Sequence, residues 1–390
     1  MATTVVSGVQ YSGSWSLSSV ANAQALGTWP SQPVPHLFAW GQNNVGQLGL
    51  GNITDYSSPK QIGSLTTWSY VSNSVGGSSS MVIKTDGTMW SWGQNGSGQL
   101  GLGNRTKYSS PKQVGALTNW SKVSAGTSFT VAIKTDGTLW AWGDNTYVQL
   151  GLGNAISYSS PVQVGSLTNW STIVCDSYAT MATKTDGTLW GWGPNYWGNI
   201  GIGSSGNYIS SPVQVGALTT WSYVATGGSQ TFAVKTDGTL WAWGYNVYGN
   251  LALGNTTNYS SPKQVGALTD WINITCAGLQ TAHSIKANGT LWGWGYNGVE
   301  GVVGNNSASS AISSPVQIGA LTNWSTVQHG YGSCYALKTD GTLWVWGNNA
   351  NGRLGLGNTT SYSSPKQVGS LTTWLSVSGQ YVSAIGIART

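Results

Sequence analysis

Charge is what this chain has least of. Only 6% of its 390 residues are Asp, Glu, Lys or Arg, against roughly 25% in an ordinary soluble domain. The polar surface must therefore be built from Ser, Thr, Asn, Gln and backbone. Such a surface is more familiar in extracellular or particle-bound proteins than in cytosolic enzymes. Cysteine is almost as scarce. Cys175, Cys276 and Cys334 are the whole set, and none forms a C-x-x-C pair. Neither a disulfide framework nor a zinc ribbon follows from that spacing. Cys175 and Cys276 fall at the same place in a Val/Ile/Thr-rich strand pattern and read as buried free thiols. No run approaches 18 apolar residues, which excludes a helical membrane span. The first residues lack a basic n-region and an apolar h-region, so no signal peptide is expected. His36, His283 and His329 are the only histidines, at unrelated positions of the sequence pattern. With no H-x-x-H, no paired acids and no ordered Ser/His/Asp set, no catalytic residues, metal site or cofactor are predicted.

What the chain has instead is tryptophan, glycine and repetition. The segment K-T-D-G-T-L-W-x-W-G-x-N recurs, its W-G dipeptide falling at Trp40, Trp92, Trp142, Trp192, Trp243, Trp294 and Trp346. A period of about 51 residues is the signature of a repeat architecture, whose units bury a core only by stacking. Residues shared by every copy build the scaffold, so a specific activity belongs where the copies differ. Of the 23 Trp, all but Trp15, Trp29 and Trp197 sit at repeat positions and read as core.

One unit, Val123 to Gly165, shows the local logic. Phe129 to Lys134 and Leu139 to Gly143 flank an Asp-Gly pair, the strongest short hairpin signal. Trp140 and Trp142 share one face of the second strand, Leu139 and Ala141 the other. Both faces are apolar, as in a strand covered on two sides. The loop N-x-x-x-Q-L-G-L-G-N follows, its glycines supplying positive φ. It lacks G-K-[ST] and a following helix, so it is no phosphate cradle. S-S-P-V-Q-V-G then reads as a short strand with Pro161 at its start, where the missing N–H is tolerated. Four short strands per unit, seven times over, predict an all-β, seven-bladed propeller over residues 36–390, with residues 1–35 as a separate arm. The first copy, His36 to Gly41, lacks the strand and turn that precede it elsewhere. The last, Val377 to Ile387, supplies what is missing. One blade is therefore expected to be closed by both ends of the repeat region, leaving no sheet edge.

The formal net charge is +5. Six lysines of the turn (Lys84, Lys134, Lys184, Lys235, Lys286, Lys338) are expected to be offset by the Asp two residues later, present in five of them. Arg105, Lys107, Lys112 and Lys122 form the one uncompensated stretch, read as a solvated blade edge rather than a nucleic-acid interface. Asp86, Asp136, Asp186, Asp237 and Asp340 are turn formers, not paired acids.

The pattern W-x-W-G-x-N-x-x-G-Q-L-G-x-G-N followed by S-P-x-x-V, plainest at Trp92–Val114 and Trp346–Val368, resembles the regulator-of-chromosome-condensation repeat family. The resemblance covers roughly residues 36–390 and implies the seven-bladed propeller. The family's functions are diverse: a guanine-nucleotide exchange factor on chromatin, a plant ultraviolet photoreceptor, a bacterial inhibitor of β-lactamases. Their common denominator is protein recognition by propeller loops, so fold does not give function. Family repeats often carry a His before the D-G turn. The comparable positions here include Phe129 and Cys334, and no G-W-R-H-T-like motif occurs. Neither the exchange-factor nor the photoreceptor function carries over.

The copies diverge in the loop after the W-G strand. Four consecutive copies carry aromatics there: Tyr147; Tyr196 and Trp197; Tyr245 and Tyr248; Tyr296. The other copies have Gln42, Val45, Gln94, Ser97, Asn348 and Asn351. Blade order would make the aromatics an arc on one face, fit for a sugar ring or a protein partner. Residues 1–35 do not follow the repeat. Ser19 to Gly27 reads as a two-turn helix with a Ser cap and a Gly stop, and Val5, Val6, Trp15, Val20, Leu26 and Trp29 are candidate docking anchors. Together with the low charge and the near-identical repeats, the arm resembles virion proteins of tailed bacteriophages that carry this repeat. The resemblance implies a non-enzymatic propeller on a virion, held to capsid or tail proteins by residues 1–35. Its partner would be a host-surface glycan or protein, and self-association on the particle is open. The alternative is a secreted or cell-surface bacterial propeller that binds carbohydrate or inhibits a partner protein.

Overall fold

The computed structural model describes residues 4–6, 9–11, 33–72, 77–276, 278, 280–298, 300–308 and 311–390. Seven four-stranded antiparallel sheets follow one another along the chain, with no helix among the described residues. Each sheet runs from an inner strand, such as Trp120–Ala125, through Phe129–Lys134 and Leu139–Gly143, to an outer strand, Tyr158–Gln163. The two middle strands are buried almost end to end, while the outer strand is half exposed. Inner strands of adjacent sheets touch around the axis, which makes the sheets blades of a propeller.

The core is not one cluster but seven. Phe129, Val131, Leu139 and Leu150 of one blade pack on Trp170, Cys175, Ala182 and Trp192 of the next, and the other six clusters repeat this pairing. A blade alone would leave both faces wet, so stability lives in the blade-to-blade seams. Six of the seven seams are latched by a hydrogen bond from the W-G tryptophan, Trp294 being the exception. The indole N–H of Trp142 donates to the Gln99 carbonyl at 2.9 Å and that of Trp192 to Gln149 at 2.9 Å. The Gly of the preceding loop lies flat on the same indole: a Cβ on Gly151 would come within 2.8 Å of Trp192 Nε1.

The Asp-Gly hairpin forms as expected. Gly137 N–H donates to the Lys134 carbonyl at 2.9 Å and Gly137 takes φ +76°, a type I turn closed by a left-handed glycine. Asp136 holds the corner by accepting from the Thr138 N–H at 3.0 Å and hydroxyl at 2.6 Å, and that hydroxyl accepts the Trp140 indole N–H at 2.9 Å. The lysine and aspartate of the turn offset each other at a distance, each favouring the other's charged form, without closing into an ion pair. Lys134 Nζ lies 3.6 Å from the Trp140 ring centroid and 5.2 Å from that of Trp120. Among the described residues the ion pair formed is Lys286–Asp270, at 3.4 Å, in the copy where Asn288 replaces the turn aspartate. The turn leaves Asp occupied by Thr, and the lysine stem reaches back across the two indoles.

Pro161 is the fourth residue of its strand, not the first. Ala141 pairs with Val162 and Gly143 with Tyr158, so Ser159, Ser160 and Pro161 face Trp142 across a bulge. A bulge on an outer strand asks nothing of the missing N–H. Phe129 and Cys334 are likewise not equivalent: Phe129 pairs with Gly143, Cys334 with Trp346.

The closing blade is built as the sequence implies. Its order is Trp374–Gly379, Ser383–Arg389, Pro35–Gly41, Tyr56–Gln61. The two ends pair from Pro35↔Arg389 to Gly41↔Ser383. In the arm, Thr4–Val6 pairs with Val9–Tyr11 in a small antiparallel hairpin that includes Val5 and Val6. Trp15, Val20, Leu26, Trp29 and the Ser19–Gly27 segment lie outside the described residues.

Candidate interaction face

The loop after each W-G strand is a rigid platform. Buried Asn145 accepts the Leu150 N–H at 3.0 Å and donates to the Asn154 carbonyl at 2.8 Å. The same staples recur at Asn95 and Asn349. The asparagine is fixed inside, so the residues beside it are thrown outward, and those are the positions that vary. Tyr147, Trp197 and Tyr248 stand two places after it, Tyr196 one place after, Tyr245 and Tyr296 one place before.

The structure brings all six onto one face, in two runs of ring contacts. In the first, Tyr147 stacks on Tyr208 at 6.1 Å with planes 7° apart, and Tyr208 meets Tyr196 edge-on at 5.4 Å and through their hydroxyls. In the second, Trp197 meets Tyr245 at 5.0 Å, Tyr245 meets Tyr248 at 6.5 Å, and Tyr248 meets Tyr296 at 5.5 Å. Tyr196 and Trp197, adjacent in sequence, join the two runs. Tyr147, Tyr196, Trp197 and Tyr248 are exposed by 38–48%, whereas Tyr245 and Tyr296 are half-buried beneath them. Each ring pair contributes about 0.5–1.5 kcal/mol beyond burial, so the rings are held in place before any partner arrives.

Sequence reasoning missed four members of this face. Tyr178, in the turn between the first two strands of its blade, meets Tyr147 edge-on at 5.4 Å. Tyr208 comes from a two-residue extension of the outer hairpin, where Pro194↔Tyr208 and Asn195↔Asn207 prolong the pairing. Tyr331 and Tyr381 pack together at 4.7 Å. Arg353 supports them from below, donating to their carbonyls at 2.9 and 3.1 Å. The signal was available: turns between first and second strands reach the same face as the loops after the third. A recess opens between Tyr178 and Tyr196, with Asp176, Pro194, Asn199 and Ser229 in its wall. Asp176 accepts the N–H groups of Tyr178 at 2.7 Å and Ala179 at 2.6 Å, and burial raises its carboxyl above the usual range. Grooves at the rim, such as that between Trp120, Trp140 and Pro161, recur from blade to blade and belong to the scaffold.

In the basic stretch Arg105 and Lys107 are exposed, and Lys112 and Lys122 lie against their neighbours. Lys122 Nζ donates to the Ser171 carbonyl at 2.6 Å and Lys112 lies over the Tyr108 ring at 5.4 Å. Cys175, Cys276 and Cys334 are buried free thiols. Two histidines that the repeat pattern left unrelated, His283 and His329, meet each other at 2.8 Å and both approach Cys334. Burial pushes His283 down to about 4 and His329 well below its ordinary value.

The chain belongs to the RCC1-like domain family, whose profile (WD40_RLD) matches residues 36–384. A segment is 39% identical over 79 residues, 20% of this chain, to the Protein RCC2 homolog of Xenopus laevis. Another is 38% identical over 87 residues, 21% of this chain, to the human probable E3 ubiquitin-protein ligase HERC6. These matches span 15% and 8% of the two relatives. Among solved structures, human WBSCR16 superimposes with a TM-score of 0.82 at 21% identity, covering 92% of this chain and 99% of that one. Yeast RCC1 (Prp20), solved bound to Kap60, gives 0.81 at 18% identity, covering 92% and 90%. At these identities the likeness is one of fold.

Proposed function

We propose that this RCC1-like propeller is a non-enzymatic interaction module that seats a partner on the face carrying Tyr147, Tyr196, Trp197, Tyr245, Tyr248 and Tyr296. The observation behind it is the division of labour in the loops: an invariant asparagine staple fixes each one, and the aromatics fall only at the positions the staple leaves free. Tyr and Trp offer large contact area at the cost of two rotatable bonds each, which is why they dominate binding hot spots. The propeller is displayed on a bacteriophage particle as a decoration, fibre or receptor-binding component, attached through residues 1–35. Low charge, near-identical repeats and an arm outside the repeat support that reading. The aromatic face then meets a host-surface protein or glycan.

A second reading, a secreted or surface propeller binding carbohydrate, is favoured by the recess between Tyr178 and Tyr196. Rings to stack on and the polar groups of Asn199 and Ser229 are the elements of a sugar subsite. Peptide mass spectrometry of dense particles, cleared medium and cells separates the two. Stoichiometric recovery with capsid or tail proteins supports display; recovery only in medium or cells overturns it. The face itself is tested with the double variant Trp197→Ala, Tyr248→Ala. A loss of host-cell adsorption or glycan retention of at least about tenfold is expected for hot-spot aromatics, with the propeller still folding cooperatively and melting only modestly lower. Unchanged affinity for every partner recovered would remove the arc from consideration.

A further inference from the structure

His283, His329 and Cys334 come from two adjacent blades and converge at one buried point. We propose that they form a three-coordinate site for a soft monovalent cation of the Cu(I) type. His283 Nδ1 lies 2.8 Å from His329 Nε2, and Cys334 Sγ lies 3.8 and 3.9 Å from those two nitrogens. The three donors fall within 4.8 Å of one another and are buried, and no carboxylate joins them among the described residues. With metal–nitrogen bonds of about 2.05 Å and metal–sulfur bonds of about 2.3 Å, a trigonal site needs about 3.8 Å between nitrogen and sulfur. The same lengths set the two nitrogens about 3.5 Å apart. The sulfur already stands at that distance, and only the two imidazoles must part.

The surroundings orient the donors. His283 Nε2 lies 2.9 Å from the Val303 carbonyl. A carbonyl only accepts, so Nε2 carries the proton and the Nδ1 lone pair points into the cluster, the outer-shell arrangement usual for ligating histidines. His329 Nδ1 lies 3.5 Å from Cys334 Sγ. When Nε2 binds the cation, the ring proton moves to Nδ1 and faces the thiolate. Gly293, paired with His283, makes the room: a Cβ there would meet His283 Nε2 at 2.7 Å.

None of this is needed by the scaffold. At the position of Cys334 other blades carry Thr130 and Thr231, whose hydroxyls donate to the Gln99 and Asn199 carbonyls at 2.9 and 2.8 Å. Cys334 Sγ sits 3.4 Å from the matching Val302 carbonyl, so threonine would serve the fold there. At the position of His283 stands Val131 in one blade and Phe232 in another, and at that of His329 stands Ala125 or Thr226. Two of three histidines and one of three cysteines depart from the repeat together. His329 also lines the cavity on the propeller axis, beside Thr226, Cys276 and Gln328, which gives a cation a way in.

Charge selects the cation. Cysteine ligates as thiolate and histidine as neutral imidazole, so the donor set carries one negative charge. A monovalent cation leaves the assembly neutral, while a divalent one buries a net positive charge with nothing to offset it. Thiolate is a ligand suited to Cu(I) as well as to zinc, and the charge balance decides between them. On binding, the Cys334 S–H bond breaks, the S–metal bond forms, and the proton leaves by the axial cavity. No oxidation state changes.

The test uses the full chain, stripped of metal and titrated anaerobically with Cu(I) against a chromophoric Cu(I) chelator, with Zn(II) in parallel. Wild type, and the variant Cys175→Ala, Cys276→Ala, are expected to take one equivalent of Cu(I) and to melt higher when loaded. Cys334→Thr, which installs the residue of other blades, is expected to melt like the metal-free wild type and to lose affinity by about 100-fold or more. The proposal is overturned if wild type takes no stoichiometric Cu(I), if Cys334→Thr binds equally well, or if Zn(II) binds in preference. In the first case the three side chains serve only to satisfy one another's hydrogen bonds.

Discussion

Trp40 donates its indole N–H to the carbonyl of Arg353 at 2.8 Å, across 313 residues of sequence. It is the same latch that joins Trp142 to Gln99, drawn here between the two ends of the repeat region. With the Pro35–Gly41 and Ser383–Arg389 pairing, it turns an open stack into a closed ring in which only the outer strand of each blade remains an edge. Removal of residues 375–390 strips the closing blade of its two inner strands and bares the edge of Pro35–Gly41. The truncated chain is expected to aggregate and melt lower. A circular permutant opened at exposed Leu218, with the native ends joined, keeps every strand pair and is expected to stay monomeric near the wild-type melting temperature. Light scattering and calorimetry read both. A monomeric truncation with an unchanged melting curve would refute closure as the source of stability.

The turn aspartates set a pH dependence. Hydrogen bonds from the following threonine, hydroxyl first and then backbone N–H, lower the carboxyls of Asp86, Asp136, Asp186, Asp237 and Asp340 below their usual value. A lowered native pKa means that the unfolded chain binds protons first as pH falls. Their contribution is therefore full above about pH 4, the ordinary aspartate range, and is lost as pH drops through the lower native values. Asn288 fills the same role uncharged, accepting from Thr290 at 3.1 and 2.7 Å. Asparagine at all five positions is expected to fold and to flatten the acid limb of the melting-temperature profile. Asp136→Ala, which cannot accept, is expected to melt below Asp136→Asn.

Two glycines with similar backbones separate conformational cost from collision. Gly137 and Gly165 both take positive φ, +76° and +62°, but a Cβ on Gly137 would come within 2.1 Å of the Thr168 carbonyl while one on Gly165 meets nothing within 4 Å. Gly165→Ala is expected to cost about 1–2 kcal/mol, the left-handed penalty alone. Gly137→Ala must also displace the backbone that enters the next blade, and about 3 kcal/mol or more is expected. Denaturant titration of the pair measures the difference. Equal losses would mean that the Thr168 segment yields without cost.

How much of this was legible beforehand follows from what repeats. Trp142, Gly137 and Asp136 recur at a fixed period, so blade number, hairpins and ring closure could be read by comparing the chain with itself. The aromatic arc was half legible, because Tyr147 and Trp197 sit in visibly divergent loops. Tyr178 and Tyr331 escaped because they lie in turns of other strands that only the fold brings to the same face. His283, His329 and Cys334 escaped for the opposite reason. One is an isolated departure in its blade and two are departures in the next, and their meeting depends on strand register across a seam, which periodicity does not encode. Pro161 was misplaced because a bulge leaves no mark in a pattern of alternation.

The lysine of the turn offers a last discrimination between sequence and structure. By sequence, Lys134 belongs with Asp136 two residues on; in space its ammonium lies 3.6 Å from the Trp140 centroid. Burial lowers the Lys134 pKa and Asp136 only partly opposes this, as expected of a cation lodged between rings rather than paired with a solvated acid. A double-mutant cycle decides. Lys134→Met with Trp140→Leu should show coupling of about 0.5–1 kcal/mol, in the range of partly exposed cation–π contacts, and little sensitivity to salt. Lys134→Met with Asp136→Asn should show the smaller coupling, since Asp136 only partly opposes the effect of burial on Lys134. A coupling to Asp136 larger than that to Trp140, fading between low and high ionic strength, would restore the ion-pair reading and reduce the indole contact to packing of the lysine stem.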